Sequence, residues 1–293
     1  MSLTAFSLIV LAGLIHAGWN IVAKKAGGDA RFACFTAFLM MLVWAPLGWW
    51  IGRSELARWG ATEWGFVLAS GLLHVLYFVV LLRGYRKADL TVVYPLARGS
   101  GPLLSSLVAV VFLGERISAL GALGIAAVVG GVFLIAGGPR LLRATRDPAA
   151  RQRVHKGMVY GLLTGAFIAS YTVVDAYAVK WLLMSPILVD YMGNFVRVAV
   201  LAPTVLRDGA TARRLWGQQW RYALGVAVFS PVAYVLVLYA MKEAPLSHVA
   251  PAREVSMLFA ALIGGHLLGE GDRSLRVLGA LCIAAGVAAL ALG

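Results

Sequence analysis

The sequence predicts an all-α membrane protein: ten transmembrane helices arranged as two inverted five-helix repeats around a central cavity. Three observations carry this expectation. Apolar residues make up 61% of the 293 positions, charged residues only 13%, and the mean hydropathy is +0.83, whereas a soluble domain carries about 25% charged residues. A block also recurs: Leu113-Gly114-Glu115 returns as Leu268-Gly269-Glu270, 155 residues later. At that offset Arg98 matches Arg253, Leu103 Leu258, Leu107 Leu262 and Leu120 Leu275, while Gly124, Gly131 and Gly138 match Gly279, Gly286 and Gly293. Finally, ten stretches reach the roughly 20 mostly apolar residues that a spanning helix needs, five in each copy. Five is odd, so the second copy enters from the opposite side and the copies lie inverted. Transporters built this way place their site near the midplane, between the repeats.

Span 1 covers 3–23. Met1–Val10 lacks the positive segment of a cleavable signal peptide, so this span is expected to be retained. Spans 2 and 3 cover 32–51 and 63–84, with Trp49, Trp50, Trp59 and Trp64 around their connection as interfacial anchors. Spans 4 (89–113) and 5 (118–137) flank the first Leu-Gly-Glu. The polar stretch after Pro139, with Arg140, Arg143, Arg146, Arg151 and Arg153, divides the chain. It gives a first repeat over 1–138, a basic cytoplasmic linker over 139–155 and a second repeat over 156–293. Spans 6 to 10 follow at 156–180, 185–206, 219–241, 246–269 and 274–292, and Trp216 and Trp220 anchor the connection between spans 7 and 8.

Orientation follows from the basic residues between spans. One set of connections holds 18 Lys and Arg: Lys24, Lys25, Arg31; Arg83, Arg86, Lys87; six between Arg140 and Lys156; Arg207, Arg213, Arg214, Arg221; Arg273 and Arg276. The opposite set holds five: Arg53, Arg58, Arg116, Lys180 and Lys242. The first set is expected in the cytoplasm, with both termini periplasmic. This distribution accounts for the net charge of +13 without nucleic acid as a partner. Cys34 and Cys282 sit inside apolar runs and suggest neither a disulfide framework nor a metal site. No Walker A motif and no catalytic constellation stand out, so no enzyme activity and no cofactor are expected. The expected partners are the lipid bilayer and a small-molecule substrate, on a monomer.

Ionisable groups are costly in hydrocarbon and face a cavity or one another. Span 4 carries Tyr94 and Arg98 at i, i+4, on one face. Arg98 is placed either to bind a substrate carboxylate through two parallel hydrogen bonds or to pair with an acid on another helix. Arg253 and Glu254 are the deep charges of span 9, read as a structural or gating network before direct contact. In span 3, His74, Tyr77 and Phe78 form one stripe; span 6 adds Phe167, Tyr171 and Asp175, and span 8 Tyr234. Such stripes are either packing or the wall for a flat ring. Span 1 adds His16 and Asn20 at i, i+4 with Trp19 beside them. Asp175 is the best carboxylate for an ammonium group or a proton. Glu115 and Glu270 end their spans and are read as caps or tethers.

The ten spans, the two halves and the Leu-Gly-Glu that ends spans 4 and 9 together resemble the EamA-type drug/metabolite transporter superfamily. His16-Ala17-Gly18-Trp19-Asn20 before Lys24-Lys25 is similar to its entry segment. Among its members, the chain looks most like the YddG-type exporters of aromatic amino acids. The resemblance covers nearly the whole chain and implies a basket of helices, with a central cavity lined mainly by spans 1, 3, 4, 6, 8 and 9. The second Pro-to-Arg motif departs from strict repetition, Pro251-Ala252-Arg253 being one residue shorter than Pro95-Leu96-Ala97-Arg98. The two arginines are therefore not expected to be symmetric.

Together these readings predict a secondary transporter. It would export amino acids, aromatic and other large apolar ones, across a bacterial-type inner membrane by alternating access. The substrate-binding residues expected are His16, Trp19, Asn20, His74, Tyr77, Phe78, Tyr94, Arg98, Tyr171, Asp175, Tyr234 and Arg253. The alternative is an exporter or importer of another small metabolite or drug-like cation on the same fold.

Overall fold

The computed structural model describes residues 1–88, 90–135, 148–260 and 273–293. Its helices are α1 (Leu3–Ala26), α2 (Ala30–Val43), α3 (Ala45–Glu55), α4 (Ala61–Lys87), α5 (Leu90–Phe112), α6 (Ala119–Ile135), α7 (Pro148–Lys180), α8 (Pro186–Leu206), α9 (Gly209–Glu243), α10 (Leu246–Ala252), α11, described over 255–260, and α12 (Arg273–Leu292). Polar side chains start several of them by accepting from amides that the first turn leaves unpaired. Ser2 accepts from Ala5, Asp29 from Arg31 and Phe32, and Asp208 from Thr211. Gly27, at φ 59°, ends α1 in the left-handed region that a residue with a Cβ disfavours.

The number of spans corrects the sequence expectation. Among the described residues seven helices are long and apolar enough to cross a membrane, or eight if the bent pair α2–α3 is one span. The expectation of ten membrane-length helices, five in each repeat, is not met among the described residues. Its shortfalls have local causes. The run expected as span 2 breaks at Trp44 with a bend of 67°, because Pro46 in the first turn of α3 lacks the N–H that would continue the helix. The run expected as span 5 is described as the 17 residues of α6, up to Ile135, the last described residue before 148. The run expected as span 9 is interrupted after seven residues by the turn Arg253–Glu254 and resumes as α11 over 255–260, its remainder lying outside the described residues. The second Leu-Gly-Glu, and Glu270 with it, lie outside the described residues. Helices α7 and α9 are longer than expected, starting at Pro148 and Gly209. Their polar first turns hold good helix formers, Ala and Arg, which hydropathy alone does not count.

The packing is that of a membrane protein. Large apolar side chains point outward, among them Leu107, Phe112, Leu123 and Leu281, while the contacts between helices are rich in small residues, as expected where lipid supplies no hydrophobic drive. The crossing of α6 and α12 shows this most directly. A Cβ on Gly124 would meet the Gly286 carbonyl oxygen at 2.8 Å, and one on Gly131 the Gly279 oxygen at 2.6 Å. The reverse contacts, Gly279 to Gly131 and Gly286 to Gly124, are equally tight at 2.7 Å. The repeat equates Gly124 with Gly279 and Gly131 with Gly286. The contact pairs them crosswise, Gly124 with Gly286 and Gly131 with Gly279, so the two helices run antiparallel.

Two acids pin the ends of other helices. Glu55 accepts from the Ser185 amide (2.7 Å), just before α8. Glu115 accepts from the Leu246 and Ser247 amides, both at 2.8 Å, at the start of α10, with the Lys180 ammonium 3.9 Å away. Glu115 thus has the tethering role read from the repeat. The Met1 ammonium donates to the Ala291 carbonyl (2.7 Å), which brings the two chain ends together.

Candidate functional site

Two proline breaks shape the interior. Proline supplies no N–H to the carbonyl four residues earlier, so Pro231 in α9 leaves the Ala227 oxygen without its helical donor and Pro251 in α10 does the same to Ser247. Both oxygens are served from the other half of the chain. The Trp44 indole N–H donates to Ala227 (2.9 Å) and the Ser106 hydroxyl to Ser247 (3.0 Å). Side-chain donors of this kind make prolines tolerable in a bilayer. Trp44→Phe should therefore cost about 1–3 kcal/mol, the penalty of an unsatisfied buried acceptor. In a Pro231→Ala background, where residue 231 can donate, the same change should cost much less. Thermal unfolding of the four proteins of this cycle checks it; equal costs in both backgrounds would refute the pairing.

Beyond Pro251 the turn at Arg253–Glu254 carries charge into the interior. Glu254, 1% exposed, lies 2.8 Å from Arg98 Nη2 on α5 and 3.9 Å from Arg253 Nε. The Arg98 contact is short but poorly aligned, since Glu254 Oε2 makes no hydrogen bond of good geometry. We therefore read it as an ion pair and not a directional bond. Arg98 Nη2 also donates to the Ser256 hydroxyl (3.3 Å), while its buried Nε has no partner among the described residues. The Tyr94 hydroxyl, one turn earlier, points to the Met257 sulfur at 3.1 Å.

A nest of rings adjoins these charges. His74 of α4 stacks on Tyr171 of α7 at 3.9 Å between centroids and 25° between planes. Tyr77 lies 5.4 Å from Tyr171, Tyr234 stands edge-on to His74 at 5.5 Å, and the Arg253 guanidinium sits 5.9 Å over the Tyr171 ring. His74 Nδ1 donates to the Ser70 carbonyl at 2.9 Å. The Tyr234 hydroxyl donates to Asp175 Oδ2. Asp175 is fully buried, and its Oδ1 has no partner among the described residues.

Of the residues expected to bind substrate, the structure gathers His74, Tyr77, Tyr171, Asp175, Tyr234 and Arg253 into this nest and joins Arg98 to it through Glu254. Tyr94 borders it, and Phe78 touches it through Tyr77 at 6.4 Å. His16 stands edge-on to Trp19 at 4.7 Å. Trp19 packs with the separate cluster of Phe32, Phe35, Ala223 and Val226, and the exposed Asn20 folds back onto the His16 carbonyl. Sequence reasoning missed the α8 network, in which Arg197 Nη2 meets Asp190 at 3.3 Å and Nη1 donates to Asn194 at 3.1 Å. A count would have exposed it. Of 26 Lys and Arg, 23 lie in connections, and the remainder are Arg98, Arg197 and Arg253.

Three acids, Asp175, Asp190 and Glu254, match these three deep arginines. A cavity of about 210 Å³ opens beside the nest, between the α2–α3 bend, α8 and α9, with Trp44, Asp190, Asn194 and Pro231 in its lining. That volume is below the roughly 300–1,000 Å³ of sites for drug-sized ligands. The lining of this cavity is largely apolar, whereas the unpaired Asp175 Oδ1 lies in the nest.

The profile of the EamA-like transporter family matches residues 3–137 and again 155–292. A crystal structure of a protein 15% identical in sequence superposes with a TM-score of 0.73, covering 99% of this chain and 98% of that one. At that identity it establishes the fold alone. The curated proteins contain no match. Nothing in these comparisons names a YddG-type exporter, so the narrower resemblance read from the sequence is withdrawn.

Proposed function

From the premise that this chain belongs to the EamA-like transporter family, a family of multi-pass membrane transporters of small molecules, we propose that it exports amino acids with aromatic or other large apolar side chains, by alternating access. One observation carries this reading: two buried, unpartnered atoms of opposite character, Arg98 Nε and Asp175 Oδ1, occur in one ring-lined core. A guanidinium edge suits a carboxylate, a carboxylate suits an ammonium, and Tyr77, Tyr171, Tyr234 and His74 suit a flat ring. A zwitterion adds no net charge to a core whose three arginines already match three acids. In this reading the protein acts as a monomer, with the basic connections in the cytoplasm and both termini periplasmic.

Counterflow in proteoliposomes of the purified protein tests the proposal. A labelled aromatic amino acid should exchange, with leucine and methionine competing, while the decarboxylated amine and the deaminated acid compete poorly because each lacks one of the two charges. Competition by the amine as strong as by the amino acid would favour a drug-like cation, for which Asp175 among rings is also suited. Exchange of none of these compounds would reject both readings.

A further inference from the structure

We infer that the first turns of α9 hold the phosphate of an anionic phospholipid over Gly217, between the guanidinium groups of Arg213, Arg214 and Arg221. The site is separate from the nest and does not depend on what the protein carries.

Helix α9 is longer than a bilayer requires. Its 35 residues extend about 52 Å along the axis, against a hydrocarbon core of about 30 Å. The charge-free run 222–241 accounts for the core, so residues 209–221 project beyond it at one end. On a helix surface, residues three and four positions apart are neighbours. Gly217 therefore has Arg213 and Arg214 one turn before it, and Trp220 and Arg221 one turn after it. All five are exposed. The buried residues Ala212, Gln219 and Ala223 lie on the other side of the helix.

Gly217 itself is the second observation. A glycine inside an exposed helix is unfavourable, because it gives the unfolded chain extra freedom and packs nothing. Packing explains two others that adjoin basic residues. A Cβ on Gly84, next to Arg83, would meet Tyr160 at 2.9 Å, and one on Gly157, next to Lys156, would meet Val92 at 2.9 Å. Gly217 has nothing within 4 Å of the place its Cβ would occupy. Its bare backbone is the floor of a shallow cup, rimmed by three guanidinium groups and an indole. The Arg221 guanidinium already lies 5.4 Å over the Trp220 ring.

No acid among the described residues neutralises this cup. Helix α9 has none between its cap, Asp208, and Glu243. Asp208 is engaged by Arg31 at 3.3 Å and by the Thr211 amide at 3.1 Å, and Arg214 acts on it only from farther away. The Gln219 side chain donates to the Ala26 carbonyl at 3.1 Å, which holds the end of α1 against α9. Lys24 and Lys25, both exposed, thus add to the same basic end.

The depth suits a lipid. Gly217 lies five residues, or about 7.5 Å, outside the charge-free run, and a headgroup layer is about 5–8 Å deep on each side of the core. Guanidinium groups bind phosphate oxygens in pairs, and a tryptophan beside them suits the interface. An anionic headgroup brings net negative charge to this unmatched positive end, whereas a zwitterionic one brings none.

The test titrates the purified protein, in neutral detergent, with phosphatidylglycerol or with phosphatidylcholine of the same chains, and counts bound lipid by native mass spectrometry. Phosphatidylglycerol should fill one saturable site about tenfold more tightly or better, as expected for one charge-assisted hydrogen bond or more. The triple variant Arg213→Gln, Arg214→Gln, Arg221→Gln should lose that advantage. Removing as much charge from the start of α7, by Arg151→Gln, Arg153→Gln and Lys156→Gln, should change affinity less than about twofold. Gly217→Leu keeps every charge but covers the floor of the cup. It should weaken binding while raising the unfolding temperature without lipid, since leucine is the better helix former. Equal losses in the two triple variants would mean attraction by net charge alone and would overturn the site. Unchanged binding in Gly217→Leu, or equal affinity for phosphatidylcholine, would overturn it too. Displacement of the lipid by an equal concentration of glycerol phosphate would assign the cup to a soluble phosphate ester and reject the lipid.

Discussion

Replacing Arg98 with alanine is expected to lower amino-acid transport about ten- to hundredfold, and also to destabilise the protein. The transport loss corresponds to one charge-assisted hydrogen bond to the substrate carboxylate, about 1.5–3 kcal/mol. The destabilisation has another source. Glu254 is 1% exposed and 2.8 Å from Arg98, so removing the guanidinium leaves a buried carboxylate with Arg253 alone at 3.9 Å. Breaking a buried pair from one side costs about 3–5 kcal/mol.

The two effects separate in a double mutant. Arg98→Ala with Glu254→Ala removes both charges and should recover much of the stability, but not transport. Arg98→Lys keeps the charge without the planar fork and should recover transport only in part. Unfolding temperature in detergent and counterflow per folded protein are the two measurements. If the double mutant transports normally, Arg98 is a structural partner of Glu254 and does not bind substrate. If Arg98→Ala lowers transport of an amino acid and of its decarboxylated amine equally, the carboxylate role is likewise wrong.

This pair marks the limit of what the sequence reveals. Arg98 was legible as a functional residue from its depth in an apolar run, since a guanidinium there must be answered by something. Its partner was not legible, because Glu254 is 156 positions away and helical periodicity reports only neighbours one turn off. The duplicated glycines were legible as a repeat, but equivalence by repeat is not contact: Gly124 matches Gly279 in sequence and touches Gly286 in space. Pro46, Pro231 and Pro251 stood in plain view. Hydropathy windows pass over them, and so the bend at Trp44 and the break at Arg253–Glu254 went unread, as did the span count that depends on them. The nest of His74, Tyr77, Tyr171 and Tyr234 was foreseeable as stripes on separate helices. Which stripes converge depends on packing angles that no single helix encodes.

Tyr171 is where that convergence can be tested with the second large effect. Its ring, 8% exposed, carries His74 on a face at 3.9 Å, Tyr77 at 5.4 Å, Tyr234 at 6.5 Å and the Arg253 guanidinium at 5.9 Å. Tyr171→Ala should cost about 3–5 kcal/mol of stability, as for other large aromatic truncations in packed interiors. Tyr171→Phe keeps every ring contact and should stay close to wild type in stability. Transport then distinguishes wall from filler. If the ring faces substrate, Tyr171→Leu, which restores much of the lost volume but no π-face, should lower counterflow of an aromatic amino acid more than that of leucine, by about the 0.5–1.5 kcal/mol of an aromatic pair, or roughly two- to tenfold. Tyr171→Phe should leave the ratio unchanged. An unaltered aromatic-to-leucine ratio in a folded, active Tyr171→Leu protein would mean that the ring packs the interior without touching substrate. The substrate's side chain would then have to lie against a different wall of the core.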